Sequence, residues 1–249
     1  PGQLPDASNA AADTFRGIVS QLSDTEAAHS PLWTDRSARR RIEHATAPFD
    51  DTKAAATALG GTLNTAFMTI ATEAASRYHV ALDAPVDFLR SSMATSTRTE
   101  ASGANAFSLV RLLVPTSEMP IDERFRAIQN ATAHAIEDSS NTSLDALAAL
   151  ASAMPTSLIT RLARQQAQTV DFATSNVRGA PVPLYVAGAR LLHNIPIGPL
   201  SGVAFNLTLL SYDGHLDMGL NTDSAAVSEP ALLRRFIEEA VDDLVRCAD

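Results

Sequence analysis

The sequence predicts an α/β protein whose mixed sheet is flanked by helices. Two observations predict it. Segments with apolar residues at helical spacing are interleaved along the chain with segments whose apolar residues recur at every second position. Among the latter, Asp213-Gly214 separates two alternating runs, Val203/Phe205/Leu207/Leu209 and Leu216/Met218/Leu220. A pair that tolerates positive φ at both positions closes an antiparallel hairpin through a type I′ turn. Such pairing rules out a purely parallel sheet and gives Asp213 a turn role rather than a catalytic one.

The elements follow in order. Asp13–Leu22 reads as a short helix, ahead of the irregular "HSPLWTDRSA". "RRRIEHATAPF", Arg39 to Phe49, alternates as a strand. Asp50 is placed to cap a helix over "DTKAAATALGG", which the Gly60-Gly61 pair ends. Thr62 caps the next helix, whose Leu63, Ala66, Phe67, Ile70, Ala71, Ala74, Ala75 and Tyr78 share one face. Strands follow at Val86–Thr95 and Asn105–Pro115, joined by the loop "STRTEASGA". A helix from Ile121 to about Glu137 buries Ile121, Phe125, Ile128 and Ile136, and more helix covers Leu144–Gln168, broken near Pro155. Strand character returns at "VDFATSNV", "PLYVAGARLLHNI" and "GVAFNLTLLS". Finally Ser228 caps and Pro230 opens a helix facing Leu232, Leu233, Phe236, Ile237, Val241 and Leu244 inward. No internal repeat is evident.

Composition sets bounds on function. With 45% hydrophobic residues the chain can bury a substantial core. A net charge of −9 sets aside a general nucleic-acid binder, because backbone phosphates repel such a surface. Lys53 is the only lysine, so positive charge here is almost all arginine, whose planar fork suits carboxylate or phosphate. Cys247 is the only cysteine, which excludes an internal disulfide and a zinc site built on thiolates. His29, His44, His79, His134, His193 and His215 show no metal-ligand spacing, and no metal is expected. No apolar run approaches the roughly 18 residues that span a bilayer, and no signal peptide is evident.

Independent catalytic machinery is missing from the motifs. "GPLSG", Gly198 to Gly202, sets its serine one place late for a nucleophile elbow, and neither a dinucleotide fingerprint nor a phosphate-binding P-loop occurs. Three stretches carry a resemblance instead: "ALGGTLNTAFMTIATEAASRYH", "SSMATSTRTEASGANAFSLVRLLVP", and the long block from "DFATSNVRGAPVPLYVAGARLL" through "GLNTD". From roughly Pro31 onward the chain resembles the C-terminal half of the bacterial wax ester synthase/acyl-CoA:diacylglycerol acyltransferase family. The resemblance implies half of the two-half fold of chloramphenicol acetyltransferase and nonribosomal condensation domains. It also implies an O-acyltransferase that makes wax esters or triacylglycerol from acyl-CoA and a long-chain alcohol or diacylglycerol. Acyl-CoA is then a substrate, and no cofactor is implied.

In that family a histidine of an HHxxxDG motif on the N-terminal half is the general base. No adjacent histidines occur in this chain. The expectation is therefore a linker over residues 1–38 from a missing N-terminal half, then a C-terminal acyltransferase domain over 39–249, inert alone. Cytoplasmic location is expected, with room for peripheral contact at the inner membrane or lipid bodies. The alternative is a non-catalytic acyl-chain-binding or scaffolding relative.

Site residues carry over position by position. The family reads Ser-Asn-Val-Pro-Gly where this chain has "SNVRG", at a strand end facing the tunnel. Related acetyltransferases use a serine in a comparable place to stabilise the oxyanion, so Ser175 is the candidate donor and Asn176 orients the segment. The same pair is ordinary turn chemistry, and both readings stand. Arg178 and Ala180 occupy positions where the family prefers proline. Asn64 matches the first residue of the family's Asn-Asp pair, with Thr65 replacing the aspartate. Arg98 and Asn105 match its Arg-Thr and Gly-x-Asn positions, as substrate contacts or as residues holding the strand ends in register. Arg36, Arg39, Arg40 and Arg41, the densest positive charge, are candidates for CoA phosphates or lipid headgroups, or a solvated face.

Overall fold

The computed structural model describes residues 30–96, 107–140 and 170–247. The helices expected over Asp13–Leu22 and Leu144–Gln168, most of the loop carrying Arg98, and Asn105 at the start of the following strand lie outside the described residues.

Strands β1 (Arg40–Pro48), β2 (Phe88–Ser96), β3 (Phe107–Pro115), β4 (Phe172–Arg178), β7 (Phe205–Tyr212) and β8 (His215–Asp223) form one sheet ordered β1-β8-β7-β4-β2-β3. Strand β4 runs parallel to both neighbours and every other pair is antiparallel, so the mixed sheet is as expected. Helices α1 (Phe49–Ala58), α2 (Leu63–Ala81), α3 (Ile121–Ser140) and α4 (Pro230–Arg246) complete the main body. A two-stranded ribbon, β5 (Tyr185–Val186) and β6 (Ala189–Arg190), pairs with no strand of the sheet.

One face of the sheet is apolar and packs on the helices. Leu89 and Met93, Val114, Phe172, Leu207 and Leu209, Met218 and Leu220 all point that way and are buried. Helix α2 was expected to bury one face, yet fourteen of its nineteen residues are buried. It lies between α3 and α4 as well as on the sheet, so the small Ala66, Ala71, Ala74 and Ala75 let neighbours close in around it.

Local signals mostly acted as read. The Thr62 hydroxyl accepts from the Thr65 N–H at 3.2 Å and caps α2. Gly60 adopts φ +78°, and the Gly61 N–H reaches back to the Ala56 carbonyl at 2.8 Å, closing α1. Asp213 and Gly214 both take positive φ, forming the β7–β8 hairpin turn.

Three details differ. Helix α1 starts directly from β1, so Pro48 holds the cap position and Asp50 falls inside the first turn, where with Asp51 it meets the positive end of the helix dipole. Glu229, not Ser228, precedes α4, and the Ser228 hydroxyl lies 3.3 Å from Tyr78 Oη instead. The stretch "PLYVAGARLLHNI" forms only the two-residue strands of the ribbon. Ala187 and Gly188 turn it tightly with positive φ, and the chain beyond Arg190 leaves strand conformation.

Residues 30–38, expected as linker, pack onto the domain. Trp33 is 2% exposed, between the rings of His79 (centroids 4.4 Å apart) and Phe205 (5.3 Å). Asp171 accepts from the Ser30 N–H, Gly202 O accepts from Arg36 Nε, and Asp223 accepts from both the N–H and hydroxyl of Ser37. Burial raises the Asp223 carboxyl, but the Ser37 and Ala225 hydrogen bonds outweigh it and leave the group below its usual range.

His79 holds this segment from beneath. Its Nδ1 faces the Ala75 carbonyl at 2.7 Å, so Nδ1 carries the proton and Nε2 accepts from the Ser30 hydroxyl at 2.7 Å. Burial pushes its pKa below the ordinary 6.5, against the raising influence of Ala75 and Asp171. Because the unfolded chain binds this proton more readily, the contribution of neutral His79 is complete above about pH 6.5 and is lost as pH falls toward the folded value. Urea midpoints compared from pH 8 to 5 are expected to fall more steeply for the wild type than for His79→Gln. Parallel curves would contradict this.

Candidate active site

The second face of the sheet bears no described helix, and the candidate site lies there. On β4, Phe172 stacks on Phe205 at 4.9 Å and the Thr174 hydroxyl meets Met68 Sδ at 2.8 Å, so both turn toward the helices. Strand alternation therefore turns Ser175 to the open face. It is half-buried, level with Ala94 on β2 and Thr208 on β7, and its hydroxyl makes no hydrogen bond to a described residue. Asn176, Val177 and Arg178 beyond it are exposed.

The departures from proline have a local consequence. Arg178 continues β4 and pairs with Ser211, as an N–H-bearing residue can and proline cannot. Gly179 then passes so close to β7 that a Cβ there would lie 2.3 Å from the Ser211 carbonyl oxygen.

Asn64 does not share this face. In the first turn of α2 its Nδ2 approaches Met93 Sδ at 2.9 Å, on the helix side of the sheet. Met93 pairs with Thr174, so Asn64 and Ser175 flank the same level of β2 and β4 from opposite sides. Thr65, which replaces the family's aspartate, is buried with its hydroxyl 3.1 Å from that of Thr62, inside the cap of α2.

The arginine cluster lies elsewhere. Arg40, on β1, is level with Asp223 of β8, three strands from β4 and about 13 Å farther down the strands at the usual rise. Arg36 is committed to the carbonyls of Gly202, Trp33 and Asp35, and burial lowers its pKa. Arg40 pairs with Asp223 at 3.3 Å. Arg39 and Arg41 are exposed, with no side-chain bond to a described residue.

A covering segment completes the site, and its anchors were not foreseen. Residues 191–200 carry no strand, yet they run over β7 and β8 held by side chains. Asp217, fully buried, accepts from the Asn194 N–H at 2.7 Å and from His193 Nδ1 at 3.0 Å. Asn221 and Asn206, register partners, donate to the Gly198 and Pro199 carbonyls, each at 2.9 Å. Gly219 lets the segment close in, since a Cβ there would lie 1.7 Å from the Pro196 oxygen. Leu192, Ile195 and Ile197 turn outward, Ile197 being 54% exposed, while Leu200 at its end is buried with Val170 and Val203. Polar residues alternating on both strands of one hairpin were the available signal.

A mixed sheet backed by helices on one face is the fold shared with the acyltransferase and condensation-domain class. The wax ester synthase/diacylglycerol acyltransferase of Marinobacter aquaeolei VT8 superposes with a TM-score of 0.68 at 22% identity, covering 100% of this chain and 58% of that one. A condensation domain of the enacyloxin polyketide synthase gives 0.55 at 15% identity, covering 86% and 42%. The family model of the WS/DGAT C-terminal domain matches residues 103–245, and the chain belongs to that family. A Mycobacterium tuberculosis H37Rv protein bearing the diacylglycerol O-acyltransferase name is 29% identical over 221 residues, 88% of this chain and 45% of that protein. The chain thus spans about half the length of the curated relatives it matches.

Proposed function

We propose that this chain is the C-terminal part of an acyl-CoA-dependent O-acyltransferase that forms wax esters, triacylglycerol or both. The observation that carries the reading is the unengaged Ser175 hydroxyl, on the helix-free sheet face of a domain of this family. A histidine from an HHxxxDG half takes the proton of the acceptor alcohol, whose oxygen attacks the acyl thioester carbon. The carbonyl oxygen becomes an oxyanion, Ser175 donates to it, and collapse expels the CoA thiolate, which takes up a proton. Of the four arginines in the Arg36–Arg41 cluster, Arg39 and Arg41 are the ones free to meet CoA phosphates or an anionic lipid surface. No helix of the described residues is long and apolar enough to cross a membrane.

The histidine half also accounts for the ribbon. Every residue from Pro181 to Arg190 is exposed, including Val182, Leu184, Val186 and Tyr185 at 64%. A two-stranded ribbon is marginal in water, and apolar surface of this kind marks an interface. A second reading, a non-catalytic acyl-chain binder, is favoured by Thr65, whose hydroxyl is spent on the α2 cap.

The test is turnover of labelled acyl-CoA with diacylglycerol or a long-chain alcohol, by this chain alone and joined to an HHxxxDG half. Transfer is expected only from the joined protein. Comparable turnover by the chain alone would refute the assignment of the base, and acyl-chain binding without turnover in the joined protein would favour the binder.

A further inference from the structure

Ser175 has an immediate neighbour whose chemistry could disable it. Thr208 is its register partner on a parallel strand, about 4.8 Å away in backbone spacing, with its side chain on the same open face. A threonine hydroxyl has two lone pairs and one proton. Turned toward β4, it would accept the Ser175 proton and take it out of use. Turned elsewhere, it leaves Ser175 the donor that a developing oxyanion needs.

In the structure it is turned elsewhere. Thr208 Oγ1 donates to Asn206 Oδ1 at 2.7 Å, along its own strand. The Asn206 amide has one orientation available, because its Nδ2 must face the Pro199 carbonyl at 2.9 Å. Oδ1 is therefore left toward Thr208. The hydroxyl also sits against the covering segment, where a Cβ on Gly198 would lie 2.4 Å from it. Thr208 and Asn206 are both buried, and a β-branched side chain has few rotamers to choose from. Ser175, correspondingly, makes no hydrogen bond to a described residue.

We propose that Asn206 is a positioning residue: by holding the Thr208 hydroxyl along β7, it keeps the Ser175 proton free for the reaction. The inference rests on the acyltransferase reading above and on the donor role of Ser175. Asn206 also anchors the covering segment at Pro199, so the two jobs have to be separated.

The experiment measures kcat and KM for acyl-CoA, well below each variant's thermal midpoint, in the protein that carries this chain with its histidine half. Asn206→Leu releases the threonine rotor, and a loss of about tenfold or more in kcat with KM within about threefold is expected. Adding Thr208→Val removes the rival acceptor at constant shape and is expected to restore most of that loss, although one more hydrogen bond is gone. Asn206→Asp keeps an oxygen for Thr208 but loses the donor to Pro199. Its midpoint should fall while kcat stays within about threefold, and this variant serves if Asn206→Leu does not fold. A double variant as slow as Asn206→Leu, or an Asn206→Asp enzyme slowed tenfold, would overturn the proposal and leave Asn206 a mere anchor. Ser175→Ala separates the two failures. If it keeps normal kcat, the donor reading falls first and this inference with it. If it is slow while Asn206→Leu is normal, this inference alone falls.

Discussion

Ser175→Ala is expected to lower kcat by about 10²–10³-fold, with acyl-CoA affinity and thermal midpoint nearly unchanged. The split follows from what the hydroxyl does in the resting protein, which is nothing intramolecular among the described residues. Alanine there leaves no orphaned partner and, at a half-buried position, little cavity. The lost interaction is made chiefly in the transition state, so the loss falls on the chemical step. Steady-state kinetics and a melting curve on the joined protein decide it. A lowered midpoint with near-normal kcat would return Ser175 to the role of a strand-end residue.

The largest effect on stability is expected at Glu73. Its carboxylate lies between two guanidinium groups, Arg124 Nε at 2.5 Å and Arg77 Nε at 2.8 Å. Arg124 is 1% exposed, and its other donors reach the Pro115 and Ser117 carbonyls and, at 3.5 Å, the Ser76 hydroxyl. Those groups satisfy its protons but not its charge. Glu73→Ala strands that charge in the core, which should cost about 3–5 kcal/mol of unfolding free energy. Removing the charge as well, in Glu73→Leu with Arg124→Met, should cost clearly less, because the desolvation of both groups then disappears. Urea unfolding of the three proteins is the measurement. A double variant worse than Glu73→Ala would mean that hydrogen bonding, rather than the unpaired charge, dominates.

What was legible in the sequence follows from the range of the forces involved. The Thr62 cap, the Gly60 terminus and the Asp213-Gly214 turn depend on backbone groups within a few residues, and a local reading recovers them. Ser175 could be singled out because its neighbours form a motif, and alternation then turns it to the helix-free face. The anchors Asp217, Gly219 and Asn221 escaped for the converse reason. Alternation of polar and apolar residues normally means one dry and one wet face, but here a distant irregular segment dries the polar face. Nothing in "LDMGLN" announces that "NIPIGP" will lie across it. The cap of α4 and the strand expected beyond Arg190 failed similarly, since Tyr78 and Asp217 claim the groups involved from far along the chain.

Trp33 is the chain's one tryptophan, and its place against His79 and Phe205 gives the molecule an optical gauge of its own. A dry indole emits toward the blue and moves to the red once water reaches it. Because the ring belongs to the segment that Ser30, Arg36 and Ser37 pin down, its colour reports detachment of that segment as well as global unfolding. The two events separate by comparison with circular dichroism, which follows the helices and not the segment. Acid titration of His79 and urea unfolding at Glu73 can thus be followed in the unlabelled protein, and any lag between the two signals dates the release of residues 30–37 relative to loss of the core.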